Sequence, residues 1–114
     1  MSIRDQLLAL KIQTATVKIA GIEGLVSLRG LTASERDSWE QYVYSERDKK
    51  MGVKNIRASL VVRSLVDETG SRLFTDSEMD QVGSMPASVI DKLYEHCQRL
   101  SGLGAKDAEE LEGN

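Results

Sequence analysis

Residues Asn55 to Gly83 read NIRASLVVRSL, then VDETGSRLF, then TDSEMDQVG, and this stretch decides the fold. From Val53 just ahead of it, the apolar positions Val53, Ile56, Leu60, Val61, Val62, Leu65 and Val66 spread around more than one helical face, the pattern of a central helix buried on several sides. Leu60 to Val62 is also continuous and rich in β-branched residues, so a strand stays open for the second half. Asp67-Glu-Thr-Gly-Ser71 then reverses the chain, bringing Leu73 and Phe74 back toward Leu65 and Val66 in a short bridge or hairpin. Thr75-Asp-Ser-Glu78 is a capping box: the threonine serves the free N–H groups of a helix start while the glutamate reaches back to the threonine N–H. Met79 and Val82 give that helix a brief apolar face, and Gly83 ends it. Nothing in the stretch is placed for chemistry.

Toward the N-terminus, Thr32-Ala-Ser-Glu35 repeats the capping box and predicts a helix from about Ala33, with Trp39, Tyr42 and Val43 as its narrow inner stripe. The phrases Arg29 to Asp37 and Arg72 to Asp80 echo one another; because their flanks differ, they read as one helix start used twice. Lys49 and Lys50 suit the negative end of the helix dipole, and Gly52 suits a left-handed stop. Upstream, Thr14 to Ile19 and Leu25 to Arg29 form a β-hairpin with a five-residue loop, Ala20 to Gly24. Two strands alone are marginal in water, so the hairpin must lie on helices or gain a third strand. Residues 1–13 place Ile3, Leu7, Leu8, Leu10 and Ile12 among Arg4, Asp5 and Lys11, an N-terminal arm or short helix suited to docking on a neighbour.

Toward the C-terminus, Pro86 suits a first helical turn, where its missing N–H goes unused. Val89, Ile90, Leu93, Tyr94, Cys97 and Leu100 follow at intervals of three and four, and Gly102 and Gly104 stop the helix. Residues 105–114 form an acidic flexible tail. The expected architecture is a single α+β domain over residues 14–104, mostly α-helical with about four helices and an N-terminal β-hairpin.

A chain of 114 residues supports one modest core, and with so few aromatic residues that core must be mostly Leu, Val and Ile. The longest apolar runs fall far short of the ~18 residues of a membrane span, and no export-type apolar segment opens the chain. The lone Cys97 forms no internal disulfide, which fits a reducing cytosol. The net charge of −3 does not favour nucleic acid as a partner. Arg47, Lys49, Lys50, Lys54 and Arg57 nevertheless crowd one connection, so the alternative function is a small DNA-binding regulator using the basic cluster Arg47 to Arg57. Against it, Glu46 and Asp48 interrupt the cluster and no base-stacking aromatic residues are interleaved.

Each hint of chemistry has a plainer explanation. His96 and Cys97 are adjacent on a helical stripe and point about 100° apart, so they do not make a base and its nucleophile. Asp76, Glu78 and Asp80 mimic the start of a calcium loop, but Gln81 stands where the turn glycine belongs and Ala87 where the bidentate glutamate belongs. Gly102-Leu-Gly-Ala-Lys106 follows a helix rather than a strand and lacks the ending of a phosphate loop. No catalytic, cofactor-binding or metal-binding residue is assigned. The candidate partner-binding residues are Leu7, Leu8 and Leu10 on the arm, and Tyr44, which falls off the inner stripe of its helix.

Three groups of residues, Gly30-Leu-Thr-Ala-Ser-Glu-Arg-Asp37, Asn55-Ile-Arg-Ala-Ser-Leu60 with Leu65-Val-Asp-Glu-Thr-Gly-Ser-Arg-Leu-Phe74, and Gln98-Arg-Leu-Ser-Gly-Leu103 before an acidic end, occur in order over residues 14 to 112. As an ordered set they resemble the tail assembly chaperones of long, non-contractile-tailed bacteriophages. The resemblance implies a non-enzymatic factor in the host cell cytoplasm, absent from the mature virion, that binds the tape measure protein. It also implies a frameshifted longer form that recruits tail tube protein, and self-association into curved or spiral oligomers.

Overall fold

The computed structural model describes residues 1–47, 49 and 55–103. Along the chain run α1 (Ile3–Leu8), β1 (Thr14–Val17), β2 (Val26–Arg29), α2 (Ala33–Arg47), α3 (Ile56–Ser64), β3 (Leu65–Val66), a 3-10 turn (Asp76–Glu78), α4 (Met79–Gly83) and α5 (Ala87–Leu100). The class is α+β and mostly helical, with five helices against the four or so expected. The expected C-terminal cap Gly52, the apolar Val53, the stop at Gly104 and the acidic tail 105–114 lie outside the described residues.

The central stretch resolves as helix followed by strand. Residues 56–64 form α3, which buries Ala58, Ser59, Leu60, Val61, Val62 and Ser64, so the run Leu60 to Val62 is helical and a strand begins only at Leu65. That strand supplies what the hairpin lacked. β3 pairs antiparallel with β2 through Ser27↔Val66 and Leu28↔Leu65, completing a three-stranded sheet in the order β1-β2-β3. The reversal after it is tight. Asp67's carboxylate accepts hydrogen bonds from the Thr69 and Ser71 N–H groups at 2.8 and 3.0 Å, and Val66 and Arg72 meet in an isolated bridge.

The hairpin is shorter than the expected runs. Pairing stops at Val17↔Val26, so Lys18 and Ile19 leave the ladder and the connection spans 18–25. A local turn competes there: Ile19's carbonyl accepts from Ile22 N–H at 3.2 Å, and Lys18 Nζ donates to Ile22's carbonyl. Ile19 stays buried even so, because the turn folds it back onto the core.

The cap of α2 forms as expected, with Glu35 N–H donating to Thr32 Oγ1 at 3.1 Å and Thr32 N–H to Glu35 Oε1 at 2.9 Å. At the second box, Thr75 N–H donates to Glu78 Oε1 at 2.8 Å, and the segment enters α4 through the 3-10 turn.

The core lies where α3 meets α5, α4 and α2, with β1 and β2 laid against α5. Leu28, Trp39, Val43, Leu60, Val61, Val62, Val82 and Cys97 are fully buried. Each large aliphatic side chain so buried stabilises the fold by roughly 1.5–3 kcal/mol before entropy is counted. Trp39 Nε1–H donates to Ser59 Oγ at 2.8 Å, and Ser59 Oγ donates in turn to Ile56's carbonyl at 2.6 Å, so the indole N–H and the Ser59 hydroxyl are both satisfied inside the core.

Two glycines serve close packing. Gly83 ends α4 as expected, being its last residue, and a Cβ there would sit 2.7 Å from Asn55 Oδ1. Asn55 itself is left-handed at φ 56 and spends its amide on Asp80 Oδ1 at 2.7 Å. At buried Gly30 a Cβ would lie 2.2 Å from Leu100's carbonyl oxygen, which seats the end of β2 directly on the last turn of α5. Gly102, at φ 74, ends that helix as expected.

Candidate docking surfaces

Of the candidate residues, Leu7, Leu8 and Leu10 are the most conspicuous. Helix α1 is capped, with Asp5 N–H donating to Ser2 Oγ at 3.1 Å, yet it buries none of its six residues. Leu7, Leu8 and Leu10 leave 62%, 71% and 75% of their surface in solvent, and Ile3 leaves 70%. Large apolar side chains left this exposed along one short segment are the kind of feature that marks interaction sites on protein surfaces. Ile3, absent from the residues expected at the site, joins the three leucines because it too is exposed on a helix that buries none of its residues.

Tyr44 stands on a different element, toward the end of α2. It is exposed, and the Arg47 guanidinium covers its ring at 4.7 Å from the centroid. The arm and Tyr44 are therefore separate surfaces rather than one site.

The basic cluster is partly neutralised from within. Arg47 lies on Tyr44, Lys49 Nζ pairs with Glu46 at 2.7 Å, and Arg57 Nε pairs with Asp91 at 3.0 Å. Lys50 and Lys54 lie outside the described residues. The described members thus spend their charge on the protein itself, which weakens the footing of a phosphate-binding stripe.

The residues weighed for chemistry are each explained by structure. Cys97 is buried against Ser64, and burial pushes its thiol up to about 12, so it is not a ready thiolate. His96 turns its Nδ1 to Arg99 Nη2 at 3.0 Å, away from the core thiol. Asp76 pairs with Arg72 at 2.7 Å, Glu78 caps Thr75 and Asp80 accepts from Asn55, so the three carboxylates serve three different partners. Among the described residues, no helix is long and apolar enough to cross a membrane.

One polar clip fixes the foot of the sheet to α2. Arg29 grips Glu35 with two guanidinium nitrogens, Nη1 at 3.0 Å from Oε1 and Nη2 on Oε2. Burial alone raises the Glu35 carboxyl, but hydrogen bonds from Arg29 and Thr32 outweigh it and hold the group below the ordinary glutamate value. This clip stands where the arm enters the sheet, since Thr14 pairs with Arg29.

Neither a curated protein nor a solved structure was found to match this sequence. A family model described as phage tail assembly chaperone matches residues 11–114, leaving only the first ten residues outside it. That match runs over nearly the whole length, and the chain belongs to the phage tail assembly chaperone family.

Proposed function

We propose that this protein binds the tape measure protein in the host cell cytoplasm, keeps it soluble while the tail is built, and leaves before the virion is mature. The observation that carries this reading is the arm, where Ile3, Leu7, Leu8 and Leu10 face solvent on a helix that buries nothing of its own. A tape measure protein is a long helical chain with apolar stripes, and an exposed apolar helix is the complement of such a stripe. Tyr44 is a second contact on the same footing. Many copies along one long chain act at high effective concentration, so each contact can be weak and still hold, and self-association into curved or spiral arrays strengthens the coat. A frameshifted longer form would bring tail tube protein to the same assembly.

Coexpression tests this directly. The tape measure protein is produced alone, with the wild-type chain, and with Leu7→Ser/Leu8→Ser/Leu10→Ser. The soluble yield should rise with the wild type and fall back toward the unaccompanied level with the triple variant. Equal solubility in all three arms would overturn the proposal.

A further inference from the structure

Helix α5 packs against strand β1, and at one end of their seam opens a cleft of about 240 Å³ lined by Ile19, Ala20, Ser88, Val89 and Lys92. Ile19 is buried and Val89 half-buried, which makes the cleft apolar, and two cations border it. Lys92 Nζ donates to the Lys18 carbonyl at 2.9 Å, and Lys18 Nζ donates to the Ile22 carbonyl at 3.0 Å. Both ammonium groups thus rest on neutral oxygens. Among the described residues neither lysine pairs with a carboxylate: Asp91 is held by Arg57, and Glu23 and Glu95 form no ion pair with either of them.

The other clefts have a different charge balance. The one beside Leu25 and Leu73 is rimmed by Asp67 and Glu68, and the one beside Leu31 holds Asp37, with Arg36 already on Glu40. The Arg57–Asp91 pair neutralises the one beside Ile56 and Met85. The cleft at Lys18 and Lys92 is therefore the one suited to an acidic segment that carries an apolar side chain.

This chain contains such a segment. After Leu103 it reads GAKDAEELEGN, which sets Leu111 among Glu109, Glu110 and Glu112 and places four carboxylates against the single Lys106. The route is fixed at both ends. At one, Gly30 packs on Leu100 and Thr14 pairs with Arg29; at the other, Lys92 meets Lys18. Strand β1 thus runs from the C-terminal end of α5 toward its N-terminal end. Gly102, at φ 74, and the Leu103 N–H, which donates to Gln98's carbonyl at 2.7 Å, turn the chain off the helix axis, and burial of Leu103 pins that turn to the body. From Leu100 back to Val89 is about 17 Å of helix, whereas eight extended residues carry the chain from Leu103 to Leu111 over about 26 Å. The difference leaves room for the reversal.

We infer that residues 104–112 run back along the α5–β1 seam of the same chain, with Leu111 in the cleft and its neighbouring glutamates on Lys18 and Lys92. β1 is an edge strand, paired only with β2, and a segment laid beside it shields that edge from foreign strands. A partner segment of like chemistry must displace the tail to enter, so the contact governs access to this face. The arm takes no part in it.

Zero-length carbodiimide coupling on the full chain, read by mass spectrometry of the monomer band, tests the contact. Amide links from Lys18 or Lys92 to Glu109, Glu110 or Glu112 should form at a yield that dilution leaves unchanged. Leu111→Ser should lower that yield severalfold, and so should about 1 M salt, where the screening length falls to about 3 Å. Glu109→Lys/Glu110→Lys/Glu112→Lys should abolish the links, and adding Lys18→Glu/Lys92→Glu should restore them with amine and carboxyl exchanged. No link at all, links to Lys11 or Lys49 as frequent as those to Lys18 and Lys92, or a yield indifferent to Leu111→Ser would overturn the inference. Links that vanish on dilution would also overturn it, by placing the tail on a second copy. No tail protein enters the measurement, so its failure leaves the coexpression result standing.

Discussion

Helices α3 and α1 are built from similar residues and end in opposite places. IRASLVVRS buries six of its nine residues, while IRDQLL buries none of its six. Both open with Ile-Arg and both carry consecutive aliphatic residues. The difference lies in what surrounds them. α3 is enclosed by α5, α4 and α2, and two of its polar groups find distant partners: Ser59 takes the Trp39 indole, and Val62's carbonyl takes Arg72 at 3.1 Å. α1 buries none of its residues and is held by local bonds such as its cap, and a six-residue helix is well below the length at which a helix is stable by itself in water. A helix so supported is more useful as something to be bound than as something that holds the fold. Apolar content alone therefore does not say whether a segment is core or contact surface.

The most severe test of that contrast is Trp39→Ala, which empties the space between α2 and α3 and leaves Ser59 without its donor. It should destabilise the protein by about 3–5 kcal/mol in urea unfolding followed by circular dichroism. If the loss were under ~1 kcal/mol, α3 would be no more essential than the arm and the comparison would break. Gly30→Ala probes the seam between the two regions, since Gly30 N–H holds Gln13's carbonyl at 2.9 Å while its α-carbon lies against Leu100. A Cβ placed 2.2 Å from a backbone oxygen forces strand and helix apart, and a loss of roughly 1–3 kcal/mol is expected by the same measurement. A neutral outcome would show the seam to be loose and the arm's base free of the core.

The smallest effect concerns acid. Glu35's folded value lies below its unfolded value of 4.5, so its contribution is complete above that pH and is lost as the pH falls through the folded value. Urea midpoints measured from pH 7 down should therefore decline below about pH 4.5 more steeply in the wild type than in Arg29→Met, which removes the grip. Parallel curves would mean that the clip beside the arm contributes nothing to holding the sheet.

Much of the fold was legible because it rests on local chemistry. The two capping boxes place helix starts through bonds spanning three residues, and the stripe of the last helix fixes its inner face as Ile90, Leu93, Tyr94 and Cys97. The turn at Asp67 to Ser71 likewise carries its own hydrogen bonds. Less legible were features whose partners lie far away in sequence. Gly30 and Gly83 read as punctuation, yet their small size is required by Leu100 and Asn55, 70 and 28 residues away respectively. The hairpin's true end was hidden because Lys18 and Ile19 continue the strand pattern while a local turn takes their backbone groups.

For the candidate surfaces, the leucines of the arm were visible as residues but not as a surface, since exposure is a property of what fails to pack. By itself the sequence determined the helix starts, the tight reversal and the aliphatic core, because propensity, capping and periodicity act over a few residues. The tertiary structure alone decided that Leu60 to Val62 is helix, that Leu65 and Val66 give the hairpin its third strand, and that the arm stays outside. Those outcomes depend on which surfaces meet, and burial is settled by the neighbours a side chain finds rather than by the side chain itself.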